Sequence, residues 1–183
     1  MKKLTFEMIP NFPITISSPV VLETVWKDST DDDVIIDMDV YLPKKGFNLQ
    51  RESCWTLEQK QKLIFSIFRD DVILPLYVNR KSDKKTYEII DGKQRYTTLL
   101  EFKNNEFPIV VDGEEYFFSD IDDKDKWRIT GYTFNACMHY EHPNQPDTIL
   151  SDDDKINWFL FVNNSGTPQQ DDYIKQLKQF VNK

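Results

Sequence analysis

The sequence has few cysteines and no long apolar run. Its 183 residues contain only two cysteines, Cys54 and Cys137, which excludes a framework of disulfide bonds and indicates a reducing compartment. No apolar stretch approaches the roughly 20 residues that a membrane-spanning helix requires. Glu7, Pro10 and Pro13 interrupt the segment where a signal peptide would have its apolar core. We therefore expect a cytoplasmic protein without a membrane segment.

Positive charge is also scarce. The chain has 23 lysines and arginines against 31 aspartates and glutamates, so its net charge is −8. Proteins that bind the DNA backbone neutralise phosphates with cations, so direct DNA binding without a partner is not expected from this balance. A local basic channel would reverse that expectation, and the candidates for it are Lys44, Lys45, Arg51 and Lys93.

Composition and hydrophobic periodicity predict one globular α+β domain. Apolar residues make up 39% of the chain and aromatic residues 14%, which is typical of folded proteins. Pro75 implies that its strand lies at a sheet edge or contains a bulge. The predicted strands are residues 20–26, 34–41, 72–78, 86–90, 109–111, 114–118 and 131–140. The predicted helices are residues 56–69, 93–102, 151–166 and 169–181.

The acidic runs are best explained by solvation. They comprise residues 31–33, 120–125 and 152–154, and we expect each of them to be a solvated loop or the start of a helix. A metal site built from one of these runs is the less favoured alternative.

The stretch EIIDGKQRYTTLLEF, residues 88–102, joins a predicted strand to a predicted helix through an unusual set of side chains. Backbone N–H groups at a helix start are unpaired, and the helix dipole adds positive charge there. Gly92 lets the backbone approach a ligand, Arg95 can donate two bonds to a phosphate, and Lys93 adds another cation. Asp91 could hold Mg²⁺, orient a water molecule or bond to Arg95. The stretch therefore has the chemistry of an anion-binding cradle.

A purely structural interpretation uses the same residues. In this alternative Asp91 caps the helix, Gly92 forms the turn, and Arg95 pairs with Asp91 or with a neighbour. Local chemistry alone allows both interpretations.

Four stretches together resemble the motifs of one family. YEIIDGKQRYTTLLEF resembles the Asp-Gly-Gln-Gln-Arg signature of a bacterial and phage domain, and FNLQRESCWTLEQKQKLIFSIF resembles its Gln-Arg-x-x-x-Trp segment and the helix after it. DVILPLYVNR resembles the family's next strand, and FVNNSGTPQQ resembles its Asn-x-Gly-(Gly)-Thr-Pro turn. This domain forms the N-terminal half of GmrSD-type modification-dependent restriction enzymes, is present in phosphorothioate-sensing SspE proteins, and is related to the ParB/sulfiredoxin-like fold.

The resemblance implies a fold and a site. The fold would be a ParB/sulfiredoxin-like α+β domain over residues 1–183, with a small mixed sheet, flanking helices and a helical C-terminus. Its motif-bearing core would span residues 47–170, after a β-rich extension over residues 1–46. The site would bind a nucleoside triphosphate and hydrolyse it, with Mg²⁺ as the cofactor. Matched position by position, the residues expected to catalyse are Asp91, Gln94 and Arg95. Those expected to bind the nucleotide are Gln50, Arg51, Gly92, Lys93, Asn163, Gly166 and Thr167.

Three departures from the family pattern bear on catalysis. Lys93 replaces the first glutamine of the signature, Phe161 replaces an arginine, and Glu52 stands where the family prefers proline. If the replaced glutamine positions water, Lys93 favours binding over hydrolysis. Family members that act as nucleases carry a downstream His-Asn-His-type domain, and we expect this chain to act without one. The alternative function is therefore a non-catalytic interaction or regulatory module, with a protein partner such as a separate nuclease subunit.

Other signals for a site are weaker. Cys137, His139 and His142 have the spacing C-x-H-x-x-H, but no fourth zinc ligand is evident, so a core cysteine and surface histidines are the preferred interpretation and no metal site is predicted. Trp55, Trp127 and Trp158 are expected in the core or at its rim, in preference to the alternative that they are platforms for stacked bases. The chain has neither a Walker A sequence nor a Rossmann fingerprint.

Overall fold

The computed structural model describes residues 34–52, 54–164 and 172–181, together with the backbone of residues 17–21. The strands in these ranges are β1 (Ser17–Val21), β2 (Ile35–Asp37), β3 (Tyr41–Leu42), β4 (Phe47–Asn48), β5 (Leu76–Arg80), β6 (Thr86–Asp91), β7 (Ile109–Val111), β8 (Glu114–Tyr116) and β9 (Asn135–Tyr140). The α-helices are α1 (Leu57–Phe68), α2 (Lys93–Lys103), α3 (Asp123–Thr130), α4 (Asp152–Asn164) and α5 (Asp172–Val181). The α+β class predicted from the sequence is confirmed. Within the described ranges, no helix combines the length and apolar character needed to cross a membrane.

A five-stranded mixed sheet forms the centre of the domain. Its strand order is β1-β9-β5-β6-β2. Strand β5 runs antiparallel to β6 and parallel to β9, β2 runs parallel to β6, and β1 runs antiparallel to β9. Strands β3–β4 and β7–β8 form two separate two-stranded sheets. Because α2 begins two residues after β6 ends, the strand–helix junction lies beside the central strand of the sheet.

Two hydrophobic clusters cover the two faces of this sheet. Neighbouring residues of β6 point to opposite faces, so Ile89 belongs to the first cluster and Ile90 to the second. Helices α1, α2 and α3 complete the first cluster, with Leu99 and Ile129 buried in it. Helices α4 and α5 complete the second, with Trp158 buried in it. Each such fully buried side chain contributes about 1.5–3 kcal/mol, so the end of β6 is held firmly in place.

The start of α1 confirms the predicted capping box. The backbone N–H of Gln59 donates to the hydroxyl of Thr56 at 3.3 Å, and the backbone N–H of Thr56 donates to the Gln59 side chain at 2.9 Å. The helix then buries Leu63, Ile64 and Ile67 on one stripe. The predicted opening of α4 is likewise confirmed, since its first turn bonds back to the residue before the helix.

The prediction for the strand around Pro75 is wrong in its start, whereas of its two alternatives, an edge position or a bulge, the second agrees with the structure. Strand β5 begins at Leu76, and Val72 is fully exposed rather than buried. The strand is also central in the sheet instead of at its edge. Proline has no N–H group for the ladder, so pairing begins after it. The irregularity that proline implied is nevertheless present, because the register shifts between Tyr77 and Val78.

Other element boundaries also differ from the predictions. The acidic segment 120–125 leads into helix α3, where the Asp122 side chain accepts a bond from the Lys124 backbone N–H at 3.1 Å. Strand β2 ends early because the Asp37 side chain accepts bonds from two following backbone N–H groups and turns the chain. Strand β9 begins four residues later than predicted, β3 and β4 were not predicted, and β1 begins at Ser17. Most of the predicted strand 20–26 lies outside the described residues.

A buried polar group of side chains, the Glu88 cluster, joins α4 to the sheet. It consists of Asn79, Glu88, Glu141 and Lys155. The Lys155 ammonium donates to Glu88 at 2.7 Å, and the Asn79 amide donates to Glu88 at 2.8 Å and to Glu141 at 2.9 Å. The Lys155 side chain is 8% exposed and that of Glu88 is 3% exposed. Buried charges of this kind are tolerated only when they are paired, so each member depends on the others.

Candidate functional site

A cavity of about 670 Å³ lies where β6 passes into α2. Five parts of the chain meet there: the segment before α1, the loop before β5, β5 itself, the β6–α2 junction and the end of α4. The lining residues are Gln50, Arg51, Trp55, Leu74, Tyr77, Asp91, Gly92, Lys93, Gln94, Arg95, Phe159, Val162 and Asn163. Eight of the ten residues predicted for the site therefore surround one cavity. The other two, Gly166 and Thr167, lie outside the described residues, and the roles of all ten stay predictions.

Asp91 and Arg95 form an ion pair in the cavity wall. Nη2 of Arg95 donates to a carboxylate oxygen of Asp91 at 2.8 Å and to the carbonyl oxygen of Pro75 at 3.1 Å. The second carboxylate oxygen of Asp91 accepts a bond from the Asn163 amide at 3.3 Å. Nε of Arg95 is buried and has no hydrogen-bond partner in the described part of the chain. A buried donor without a partner costs stability, so the packing around this guanidinium group is not optimised for the fold alone.

Gly92 makes the close packing of Arg95 possible. Its φ is +110°, a conformation that residues with a Cβ rarely adopt. A Cβ built on Gly92 would collide with Cδ2 of Leu76 and lie 3.0 Å from Nη2 of Arg95. The sequence predicts a close approach of a ligand at this glycine. The structure gives a reason within the protein itself, because the missing Cβ leaves room for a guanidinium group and a buried leucine.

The first turn of α2 has no side-chain cap. Gly92 occupies the N-cap position and offers no side chain, and the first turn contains no acidic residue. Capping by Asp91, which the structural interpretation required, is therefore wrong, whereas its pairing of Asp91 with Arg95 is confirmed. The residues of this turn line the cavity. The partial positive charge of the helix start thus lies beside the two arginines of the cavity.

Lys93 is bound by an acidic residue from outside the predicted motifs. Its ammonium lies 2.6 Å from a carboxylate oxygen of Asp39, in the turn after β2. The Lys93 side chain is 12% exposed, whereas that of Asp39 is 62% exposed. An anionic ligand in the cavity would compete with Asp39 for this cation. Lys93 and Arg95 are therefore alike in that each would share its carboxylate partner with a bound phosphate.

The side chains of Gln94 and Gln50 form hydrogen bonds with the backbone around the cavity. The Gln94 side-chain oxygen accepts bonds from the backbone N–H groups of Cys54 at 3.1 Å and Trp55 at 3.3 Å. The Gln50 amide donates to the carbonyl oxygen of Ile89 at 3.0 Å and also to that of the next residue. These bonds attach the Gln-Arg-x-x-x-Trp segment to the β6–α2 junction. They explain physically why two motifs distant in sequence belong to one site.

An apolar side of the cavity was not predicted from the sequence. It is lined by Trp55, Leu74, Tyr77, Phe159 and Val162. Trp55 lies in a family motif, but its residue type, like those of the other four, is equally typical of a core or strand position. Burial raises the pKa of Tyr77, the charges of nearby acidic groups raise it further, and a neighbouring arginine opposes them. The Tyr77 hydroxyl therefore stays protonated at neutral pH and can donate a hydrogen bond.

The C-x-H-x-x-H pattern does not form a metal centre. Nε2 of His139 donates to the carbonyl oxygen of Thr148 at 2.7 Å, and burial raises the pKa of the Cys137 thiol. Across the described residues, no three histidine, cysteine or acidic side chains are grouped so that they could hold a metal ion. His139 is buried on β9 although a surface position was expected for it, Cys137 is only half-buried on the same strand, and His142 is exposed beyond its end.

Comparison of the sequence with models of protein families identifies the family of this chain. Residues 33–183 match the family described as GmrSD restriction endonuclease, N-terminal domain. The chain belongs to this family. The resemblance inferred from the motifs is confirmed, and this GmrSD N-terminal domain is related to a restriction system. Comparison with curated proteins gave no match, and comparison with solved structures gave none either. The ParB/sulfiredoxin-like architecture of this GmrSD N-terminal domain stays a prediction.

Proposed function

We propose that this GmrSD N-terminal domain binds a nucleoside triphosphate in the cavity at the β6–α2 junction. The observation that carries the proposal is the position of the Arg95 guanidinium group, which lines the cavity beside an uncapped helix start. A phosphate oxygen there would accept bonds from the guanidinium group and from backbone N–H groups at once. These are the donors that phosphate-binding sites commonly combine.

The charge of the cavity supports the same function. The chain as a whole carries a net charge of −8. The described lining of the cavity has the opposite balance, because it contains the cations Arg51, Lys93 and Arg95 and one carboxylate, that of Asp91. The balance stays positive when Asp39, the partner of Lys93, is counted, since three cations then face two carboxylates. A concave site of locally positive charge focuses its field on a small anion, whereas the acidic remainder repels a long nucleic acid. The volume also lies within the usual range of about 300–1,000 Å³ for small-molecule sites.

Mg²⁺ fits this cavity as an ion shared with the nucleotide. Among the described residues that line the cavity, Asp91 is the one carboxylate. Magnesium in such sites takes one or two carboxylates, and phosphate oxygens and water complete its shell. Asp91 would hold the ion by giving up part of its contact with Arg95 or Asn163. When bound, Mg²⁺ neutralises charge on the β- and γ-phosphates.

The second candidate function is nucleotide binding without turnover, in a regulatory module that acts through a protein partner. Lys93 favours it, because a lysine held at 2.6 Å from Asp39 cannot position water as an amide side chain would. Release of inorganic phosphate from ATP by the wild-type domain separates this candidate from a domain that both binds and hydrolyses the nucleotide. Measurable release that disappears when Asp91 is replaced by asparagine supports hydrolysis, and binding without release supports the regulatory module.

Replacement of Arg95 by alanine is expected to weaken nucleotide binding by at least tenfold. The change removes the buried guanidinium donors, and hydrogen bonds to charged groups contribute about 1.5–3 kcal/mol each. Calorimetric titration with ATP, GTP, CTP and UTP in the presence of Mg²⁺ measures the effect. The melting temperature of each variant is recorded alongside, because Asp91 loses its 2.8 Å partner in this variant.

Arg69→Ala is the matched control for that titration. Arg69 is also a paired arginine, but its side chain is 64% exposed and does not line the cavity. Its removal should leave the affinity within about twofold of wild type, since surface ion pairs contribute little. Absence of wild-type binding at millimolar nucleotide, or an equal loss in both variants, would overturn the proposal.

A further inference from the structure

We infer that Trp55 and Leu74 form the base-binding side of this cavity, so that its ligand is a phosphorylated compound carrying a flat aromatic base. This deepens the proposed function and rests on it, because the phosphates would still be held at the β6–α2 junction. The polar lining explains only how an anion is held. The apolar lining of the same cavity is suited to a second, uncharged part of the ligand.

Trp55 is held in place from two sides. Its backbone N–H donates to the side chain of Gln94 at 3.3 Å, and Gln94 lies in the first turn of α2. Its side chain is half-buried and packs against the first hydrophobic cluster while also lining the cavity. An indole fixed in this way loses little conformational freedom when a base stacks on it. The ring is attached through Gln94 to the helix start that would hold the phosphates.

Leu74 is an apolar side chain that is exposed to solvent at the cavity. It is 68% exposed although it lines the cavity together with Trp55. The next residue, Pro75, accepts a hydrogen bond from Arg95 through its carbonyl oxygen at 3.1 Å. Leu74 is therefore attached, through its neighbour Pro75, to the same first turn as Trp55. A base that covers Leu74 would remove apolar surface from water, which is favourable in proportion to the area covered.

This arrangement has a consequence for selectivity. Stacking on an aromatic ring accepts any base, because every base has a π-face. Apolar side chains add contact area without reading the hydrogen-bonding edge of a base. We therefore expect ATP, GTP, CTP and UTP to bind with affinities within about tenfold of one another, and each of them more tightly than the phosphate chain alone.

Calorimetric titration with two probes separates the contribution of the base to the affinity from that of the phosphates. The probes are ATP and inorganic tripolyphosphate, each with Mg²⁺. Trp55→Leu keeps an apolar side chain but removes the ring, and it should weaken ATP binding by at least tenfold while tripolyphosphate affinity stays within twofold. Trp55→Phe retains a ring and should stay within about threefold of wild type for ATP. Leu74→Ser alters an exposed side chain and should weaken ATP binding at least threefold without lowering the melting temperature.

Trp127→Leu is the control, because Trp127 is 60% exposed and lies outside the cavity lining. It should bind both probes like wild type. The inference is overturned if ATP and tripolyphosphate bind wild type equally well, or if Trp55→Leu and Leu74→Ser leave ATP binding unchanged. Both of these results would contradict the base-binding side only, and the proposed phosphate-binding site would stand. A wild-type protein that binds neither probe overturns the proposed function, and the base-binding side with it.

Discussion

Replacement of Lys155 by methionine is expected to lower the free energy of unfolding by about 3–5 kcal/mol. The Glu88 carboxylate is 3% exposed and would lose the ammonium that lies 2.7 Å away. Its remaining partners would be the Asn79 amide and the ammonium of Lys81, which lies 3.6 Å away on a side chain that is 41% exposed. Methionine preserves most of the packing, so the loss reports the unpaired charge. Urea denaturation followed by circular dichroism measures it.

Two further variants make that experiment specific. Lys62 forms an exposed ion pair on α1, and its side chain is 71% exposed. Lys62→Met should therefore leave stability nearly unchanged. Glu88→Gln combined with Lys155→Met removes both buried charges and retains a side chain that can accept the bond from Asn79. This double variant should recover at least half of the stability lost by Lys155→Met alone. Equal stability of Lys155→Met and wild type would show that the buried pair does not hold α4 to the sheet.

Gly92→Ala is expected to destabilise the domain by about 2–4 kcal/mol, because two costs combine. A φ of +110° is strained for alanine, and the new Cβ collides with Leu76, which is fully buried. The same Cβ crowds Nη2 of Arg95, so the ion pair with Asp91 must shift. We therefore expect nucleotide affinity to fall together with stability. Chemical denaturation gives the first effect and calorimetric titration gives the second.

The Gly113→Ala variant measures the cost of backbone strain without the steric clash that a Cβ at Gly92 would cause. Gly113 has a φ of +88° in the turn between β7 and β8, and a Cβ there meets nothing within 4 Å. Its substitution should cost about 1–2 kcal/mol, the strain contribution alone, and should not affect nucleotide binding. If both glycine variants lose the same stability, crowding of Leu76 and Arg95 is not the reason for the glycine in the motif.

The sequence predicted those parts of the site that depend on residues close together in the chain. The strand ending at Asp91, the helix after Gly92 and the capping box at Thr56 all follow from local patterns, and all are present. The family motifs also identified which distant segments meet, since Gln50 and Asn163 line the same cavity as the central motif. The structure adds the bonds that connect them.

Contacts between distant residues without a motif could not be predicted. Lys93 is paired with Asp39, a residue 54 positions away, and no local pattern marks that partner. The bond between Lys155 and Glu88 spans 67 positions and joins two elements that pack only in the folded chain. For helix α3 the sequence left two alternatives open, because an acidic run is typical both of a solvated loop and of a helix start, and the structure shows the helix start.

The most direct test of nucleotide binding at the β6–α2 junction is a nitrogen-15 NMR titration of the domain with ATP and Mg²⁺. We predict that the amide signals of residues 92–95 move most, because their N–H groups would lie against the phosphates. Signals from residues 50–55 should follow, since Gln94 connects this segment to the junction. The β7–β8 hairpin serves as the internal control and should not respond. Unchanged signals at residues 92–95 in millimolar ATP, or larger changes at the hairpin, would contradict a nucleotide site at this junction.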